Sequence, residues 1–160
     1  MSHPSLGLPP VDDSAGDPAS ADALRAERRR IADRAIAYAS EADPAFDARY
    51  DAVAMENMRL DVDSMVNRLA DAVGANLPEG LGRWADMVAP RFRKKAVPMD
   101  DLIHLFEGLR RAAPAAVLPD AMPMVDAALD AGIEVFRWHR RLAGDARKRH
   151  PLLAFIYKGA

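Results

Sequence analysis

The sequence predicts an all-α protein with about five to six helices. Apolar residues recur at spacings of three and four along most of the chain, the period of an amphipathic helix. Asp-Pro pairs and isolated Pro or Gly residues separate these segments, as helix starts and stops do. No segment alternates apolar and polar residues for long enough to predict a strand. Hydrophobic residues form 50% of the chain, and the many alanines among them favour closely packed helices.

The length of 160 residues indicates one domain with soft ends. Residues 1–17 are rich in Pro, Gly, Ser and Asp, which predicts a disordered leader; a short docking peptide around Leu6 to Leu8 is the alternative. Residues 18–150 form the predicted helical domain. Residues 151–160 form a short apolar tail, which we expect to fold back on the domain.

Two start signals organise the first half of the chain. Asp17-Pro18 predicts a first helix that extends to Tyr38, because Asp caps exposed amides and Pro suits the first helical position. Asp43-Pro44 repeats the signal and predicts one long amphipathic helix from Phe46, which stops near Gly74.

The second half is divided by prolines. A turn at 77–80 precedes a shorter helix that Pro90 is expected to kink or split. Val97-Pro98 predicts a break, and 102–109 carries the buried stripe of the next helix, whose end Pro114 and Pro119 bracket. The last helix begins near Asp120 or Pro123, and its inward face is expected to contain Val125, Ala128, Leu129, Ile133, Val135, Phe136 and Leu142.

Composition excludes several kinds of site and disfavours others. The absence of cysteine removes disulfides, thiolate nucleophiles and Cys-based zinc sites, and it suits a cytoplasmic location. The net charge of −2 argues against nucleic-acid binding by the whole chain. The sequence shows neither a signal peptide nor an apolar run of about 18 residues, so no membrane span is predicted.

No residue pattern identifies a catalytic centre, so we predict that the protein is not an enzyme. His104 follows Asp100 and Asp101 by four and three residues, and such a pair can serve as a general base or bind metal. Without a Glu-x-x-His motif, however, a histidine at the helix surface is the favoured interpretation. His139 is expected in the core or at its rim. No phosphate loop or nucleophile elbow is present, and no cofactor is predicted.

Cations crowd the last part of the chain. Residues 137–160 contain seven Lys and Arg residues and one Asp, which gives this segment a net charge of +6. A solvated helix end is the favoured interpretation, an acidic protein partner remains open, and nucleic acid is disfavoured. The predicted basic face consists of Arg137, Arg140, Arg141, Arg147, Lys148 and Arg149.

The stretch from Glu56 to Arg141 resembles the N-terminal sensor domains of stressosome RsbT co-antagonist proteins, which are globin-like folds without haem. A similar segment occurs in PucR-type regulators and globin-coupled sensors. The resemblance is carried by 91–106 (RFRKKAVPMDDLIHLF): a basic helix end, a small and an apolar residue, Pro, an acidic pair and an apolar helix. When Val97-Pro98 is aligned with the family's turn, Phe92 falls at the position where haem-binding members carry their ligand histidine. The resemblance therefore implies that this chain is a non-haem member.

The resemblance implies a globin-like bundle that acts as a stand-alone sensor or protein-interaction domain in bacterial signalling. Stressosome proteins continue into a second domain, whereas this sequence ends at Ala160, so we expect signalling by homodimerisation or docking. Gly108 and Gly132, which cost on the order of 1 kcal/mol each inside helices and imply close helix contacts, are the candidate dimer faces. The alternative is a protein that binds haem or another apolar small ligand; a dry core at the same six positions also remains open. The predicted pocket is lined by Trp84, Val88, Phe92, Leu102, Phe106 and Phe136.

Overall fold

A computed structural model describes residues 16–149, with side chains described up to 142. This part of the chain is all-helical, which confirms the predicted class, and it contains seven α-helices. Short 3₁₀ turns at Ala113–Ala115 and Pro119–Ala121 follow the sixth helix. The helices are α1 (Pro18–Ala26), α2 (Arg28–Ala42), α3 (Phe46–Arg49), α4 (Ala52–Gly74), α5 (Glu79–Lys94), α6 (Met99–Ala112) and α7 (Met122–Arg149).

Side-chain caps explain two of the helix starts. The Asp17 carboxylate accepts a hydrogen bond from the Ser20 amide at 2.9 Å, as the Asp-Pro signal predicts. The long helix does not begin after Asp43-Pro44, however. The short α3 ends at Tyr50, which is extended, and the Asp51 carboxylate caps α4 through the Ala54 amide at 2.8 Å. The predicted start was therefore wrong, because a second capping aspartate restarts the chain.

Both α4 and α5 end in the same backbone motif. After α4, the Leu77 amide donates to the Ala72 carbonyl, and after α5 the Val97 amide donates to the Phe92 carbonyl. The intervening residues Asn76 and Ala96 have φ values of 52° and 60°. These are Schellman ends, in which a left-handed residue lets the chain leave the helix. They explain why α4 stops beside Gly74 and why Val97-Pro98 separates α5 from α6.

The prediction of one continuous first helix was wrong, because it is interrupted at Glu27, which separates α1 from α2. Of the two effects predicted for Pro90, the split does not occur: α5 is one helix from Glu79 to Lys94, with Pro90 exposed. A kink at Pro90 stays a prediction.

Pairs of residues across interfaces fix the helix directions. Arg25 pairs with Asp71 and Arg28 with Asp63, so the first two helices run antiparallel to α4. Gly108 lies against Ala35, and Arg49 at the end of α3, the short helix that follows α2, reaches Asp101, so α2 and α6 are antiparallel. Because α2 also packs on α4, it lies between α4 and α6.

The seventh helix closes the arrangement. Arg110 of α6 binds Asp126 at 2.8 Å, and Asp100 binds Arg140, so α6 and α7 are antiparallel. Since α7 also packs on α4, helices α2, α4, α7 and α6 form a ring of antiparallel neighbours. Helix α5 packs on α7 and α4 and runs parallel to α7, because Gly82 lies against Ala131 and Asp86 binds His139. The globin-like arrangement itself stays a prediction.

The inward face of α7 agrees with the predicted stripe except at its end. Val125, Ala128, Leu129, Ile133 and Phe136 are buried, and Val135 is partly buried against the core, whereas Leu142 is 43% exposed. Arg140 is level with Asp100 in the first turn of α6, so Leu142 lies past the start of that helix and has less of the bundle to pack against. The prediction that Leu142 faces inward was therefore wrong.

The predicted leader lies outside the described residues except for 16 and 17, and the predicted tail at 151–160 lies wholly outside them. Among the helices of the described part, none combines the length and apolar character needed to cross a membrane.

Candidate functional site

The six residues predicted to line a ligand pocket form part of the interior. Five are buried, and the sixth, Trp84, is partly buried against them. The Phe106 ring stacks on Trp84 with centroids 6.5 Å apart and meets Phe136 edge-on at 5.2 Å. These side chains belong to the hydrophobic core of the described residues. Phe92, at the family's ligand position, has no donor atom for iron, so these residues do not fit haem.

Gly108 and Gly132, the predicted dimer faces, lie at crossings within the chain. A Cβ at Gly108 would be 2.6 Å from the Ala35 carbonyl oxygen, and one at Gly132 would be 2.3 Å from the Phe106 ring. Close helix approach is therefore their role, as the sequence indicates. Because both are buried by the chain's own helices, neither offers a surface to a second copy, and this placement of the dimer face was wrong.

The predicted basic face is partly neutralised. Arg137 pairs with Glu134 at 2.7 Å, and Arg140 pairs with Asp100 of α6. Arg141 is exposed and makes no ion pair with the described residues. The side chains of Arg147, Lys148 and Arg149 lie outside those that the structure describes.

The two histidines within the domain have different surroundings. His139 is buried, as predicted, and its Nε2 lies 2.9 Å from the Asp86 carboxylate. His104 is partly buried, but no hydrogen bond joins it to Asp100 or Asp101, which bind other partners. The Nδ1 atoms of both histidines are buried without a hydrogen-bond partner in the described part of the chain. Within that part, no group of three His, Asp or Glu residues could hold a metal ion.

A buried carboxylate at Asp101 joins α3 to α6. Asp101 is fully buried, and its oxygens accept hydrogen bonds from Arg49 at 2.5 and 3.0 Å and from the Tyr50 hydroxyl at 2.5 Å. Arg49 also binds Asp43 at 2.5 Å. This cluster compensates the buried charge, because each Asp101 oxygen has at least one donor. Sequence reasoning missed it, since about fifty residues separate its halves.

The cluster shifts the acidity of its members. Burial, followed by the hydrogen bond and the charge of Asp101, raises the pKa of Tyr50 well above its usual value. Hydrogen bonds from Arg49 and the Ala45 amide lower the pKa of Asp43. The Tyr50 phenol therefore stays protonated in the folded state, where it acts as a donor and not as a base.

Three of the concavities on the surface of the described residues are candidate sites. The Arg49–Lys95 hollow has a volume of about 550 Å³ and lies beside the Asp101 cluster. Its lining combines apolar atoms with five polar side chains. The residues are Arg49, Tyr50, Ala54, Asn57, Met58, Asp61, Lys95, Ala96 and Val97.

The α4–α5 groove has a volume of about 440 Å³ and carries Trp84 and Met87 on one wall. Met87 is 59% exposed. A Cβ at Gly80, which also lines the groove, would meet nothing within 4 Å. The lining is mainly apolar, with two arginines and one aspartate. It consists of Arg68, Asp71, Ala72, Ala75, Leu77, Gly80, Arg83, Trp84 and Met87.

The α2–α4 groove is the largest of the three, at about 820 Å³. Among its lining residues Ala32 and Ile36 are buried and form its floor, whereas Leu60 and several charged side chains are exposed. It is lined by Arg29, Ala32, Asp33, Ile36, Ala37, Ser40, Asp47, Met55, Glu56, Arg59, Leu60 and Asp63.

No protein-family model, curated protein or solved structure matches the chain.

Proposed function

We propose that the chain is a protein-interaction domain of a bacterial signalling system, a non-haem sensor of the kind that the resemblance implies. In this proposal the α4–α5 groove receives an acidic amphipathic helix from a separate protein. The supporting observation is a mainly apolar groove whose lining contains Trp84 and Met87 together with Arg68 and Arg83.

The residue types in this groove are those that dominate protein interfaces. Trp, Met and Arg are enriched in the buried centres of interfaces, and Trp and Arg supply most of the strongest binding contacts. Trp84 is held by its stacking on Phe106, so it loses little freedom when a partner covers it. The methionine beside it can adapt to differently shaped side chains.

The length and charge of the groove favour an acidic helix. The groove residues on α5 extend from Gly80 to Met87, seven residues or about 10 Å, which corresponds to nearly two helical turns. Asp71 is already neutralised, because Arg25 binds it at 2.8 Å and Arg68 at 3.3 Å. Arg83 has only a 3.8 Å contact with Glu79, so it can accept a carboxylate from a partner.

Selection from a phage library of amphipathic peptides tests the proposal. The library presents apolar residues at helical spacing and varies the remaining positions between acidic, basic and neutral residues. We expect the selected peptides to be acidic and to bind the full chain. Gly80→Phe should weaken them about tenfold or more, because a Cβ at Gly80 meets nothing within 4 Å and the ring beyond it would occupy the groove.

One further variant serves as a control, and another provides a fluorescence signal for binding. Leu118→Asp changes a leucine that is 73% exposed and lies outside the groove, so peptide binding should be unchanged. Trp138→Phe leaves Trp84 as the single tryptophan, whose fluorescence should shift to shorter wavelength when a peptide covers it. Failure to select any peptide, or selection of peptides that bind Gly80→Phe equally well, would contradict the proposal.

A second candidate function is the binding of an apolar small ligand in the Arg49–Lys95 hollow. Its volume lies within the range of small-molecule sites, and its apolar lining carries a few polar groups that could orient a ligand. Native mass spectrometry of the purified chain should then show a bound species that Ala54→Trp displaces. A Soret band in the absorption spectrum would instead identify haem and contradict the non-haem assignment.

A further inference from the structure

The outer face of α2 and α4 exposes apolar side chains that no described residue covers. Leu60 is 62% exposed and Val53 is 72% exposed. They are seven residues apart on α4, two helical turns, and so lie on the same side of the helix. Leucine at this exposure is ordinary when isolated, but Leu60 lines the α2–α4 groove, the largest of the three concavities described above.

The same face also contains the hollow that such a side chain could enter. Ala32 and Ala37 line the α2–α4 groove together with Ile36, and their short side chains leave room above α2. A protruding leucine and a receiving groove therefore lie side by side on one surface. A two-fold contact between identical subunits requires this arrangement, because each copy must present both halves of the contact.

The charges of the groove are also mixed in sign. Arg59 lies 3.6 Å from Asp33 on the opposite wall and 3.4 Å from Glu56 on its own helix, in exposed pairs that are worth little and exchange easily. Arg29 makes no ion pair with the described residues. Across a two-fold axis, Arg29 of one copy can meet a groove carboxylate of the other. A partner of one sign would be repelled by one set of these groups.

We propose that this face is the interface of a homodimer, in which Leu60 of each copy enters the α2–α4 groove of the other. Four helices, two from each copy, then pack together. Groove residues on α2 extend over twelve positions, from Arg29 to Ser40, or about 16 Å. Two such helices per copy can supply the roughly 800 Å² per partner that is typical of stable interfaces. The α4–α5 groove stays accessible, so this inference does not depend on the proposed function.

Light scattering after size exclusion tests the dimer on the full chain, from about micromolar to about millimolar concentration. We expect the mass of two copies. Leu60→Asp should give the mass of one copy, because a carboxylate would be buried against the partner's apolar floor. Ala37→Glu, which changes the receiving side at an exposed position, should do the same. Both variants should keep the helical circular dichroism of the parent.

Leu118→Asp is the matched control, since it places the same charge at another exposed leucine, and it should remain dimeric. Gly80→Phe should also remain dimeric while it loses peptide binding, which separates this interface from the proposed function. A monomeric parent chain throughout the concentration range would overturn the inference. So would a dimer that both Leu60→Asp and Ala37→Glu leave intact.

Discussion

At the scale of single residues, Asp101 shows how a buried charge can be accommodated in a small helical protein. The carboxylate has no exposed surface, yet Arg49 and Tyr50 supply three hydrogen bonds to it. Leaving one partner of a buried ionic group unmatched is costly, whereas the complete set roughly balances desolvation. The cluster therefore holds α3 against the first turn of α6 only while each donor is present.

Replacing Tyr50 by Phe removes one of these donors and keeps the ring. We expect the free energy of unfolding to fall by about 1.5–3 kcal/mol, the typical value of a hydrogen bond to a charged group. Urea denaturation at neutral pH measures the change. Tyr38→Phe is the control, because the Tyr38 ring lies under Arg111 and its hydroxyl makes no hydrogen bond with the residues that the structure describes. An equal loss in both variants would contradict the role of the Tyr50 hydroxyl.

The pH dependence of the same variant gives an independent measurement. The pKa of Tyr50 is raised in the folded state, so the folded chain keeps a proton that the unfolded chain loses above about pH 10. The resulting stability is complete below the unfolded pKa and is lost as the pH rises toward the higher folded value. The difference in free energy of unfolding between the parent and Tyr50→Phe should therefore become smaller above about pH 10.

Two glycines allow a matched test of close packing. A Cβ at Gly108 would meet the backbone of Ala35, whereas one at Gly80 would meet nothing within 4 Å. Gly108→Ala should lower the free energy of unfolding by about 1–3 kcal/mol, because α2 must move away from α6. Gly80→Ala should raise it by up to about 1 kcal/mol through helix propensity. Thermal and urea unfolding of both variants check this, and a stabilised Gly108→Ala would contradict the crossing.

At the scale of elements, the ends of α4 and α5 differ in how well their residues suit the left-handed conformation. Asn76 tolerates a positive φ, whereas Ala96 is strained by about 1–2 kcal/mol. We expect Ala96→Gly to raise the free energy of unfolding by about 0.5–1 kcal/mol, since glycine also loses more entropy on folding. Asn76→Gly should raise the free energy of unfolding by less than Ala96→Gly does. Denaturant titration of the two variants distinguishes them, and equal gains would contradict the strain at Ala96.

Local signals predicted several boundaries but could not rank competing ones. Asp17-Pro18 and Val97-Pro98 were located correctly, because capping and left-handed helix ends depend on neighbouring residues. The Asp43-Pro44 signal misplaced the start of α4, since Asp51 caps equally well and the extended Tyr50 is fixed by the distant Asp101. Burial of Leu142 was predicted from period alone, which does not reveal where neighbouring helices begin.

At the scale of the whole molecule, the class and most of the interior could be read from the period of apolar residues. The candidate sites could not be predicted from this period. Leu60 and Trp84 look like other stripe residues in the sequence, and their exposure depends on which helices pack beside them. For the same reason Gly108 and Gly132 were assigned to an external contact, although both serve internal crossings.

The contact between α2 and α6 also matters during synthesis. Ala35 and Gly108 are about seventy residues apart, and translation proceeds at about 5–20 residues per second. Roughly 4–14 seconds therefore pass between the synthesis of Ala35 on α2 and that of Gly108 on α6. During that interval the face of α2 that will pack on α6 has no native cover, so nascent chains halted before residue 99 should bind chaperones more strongly than chains halted after the end of α7.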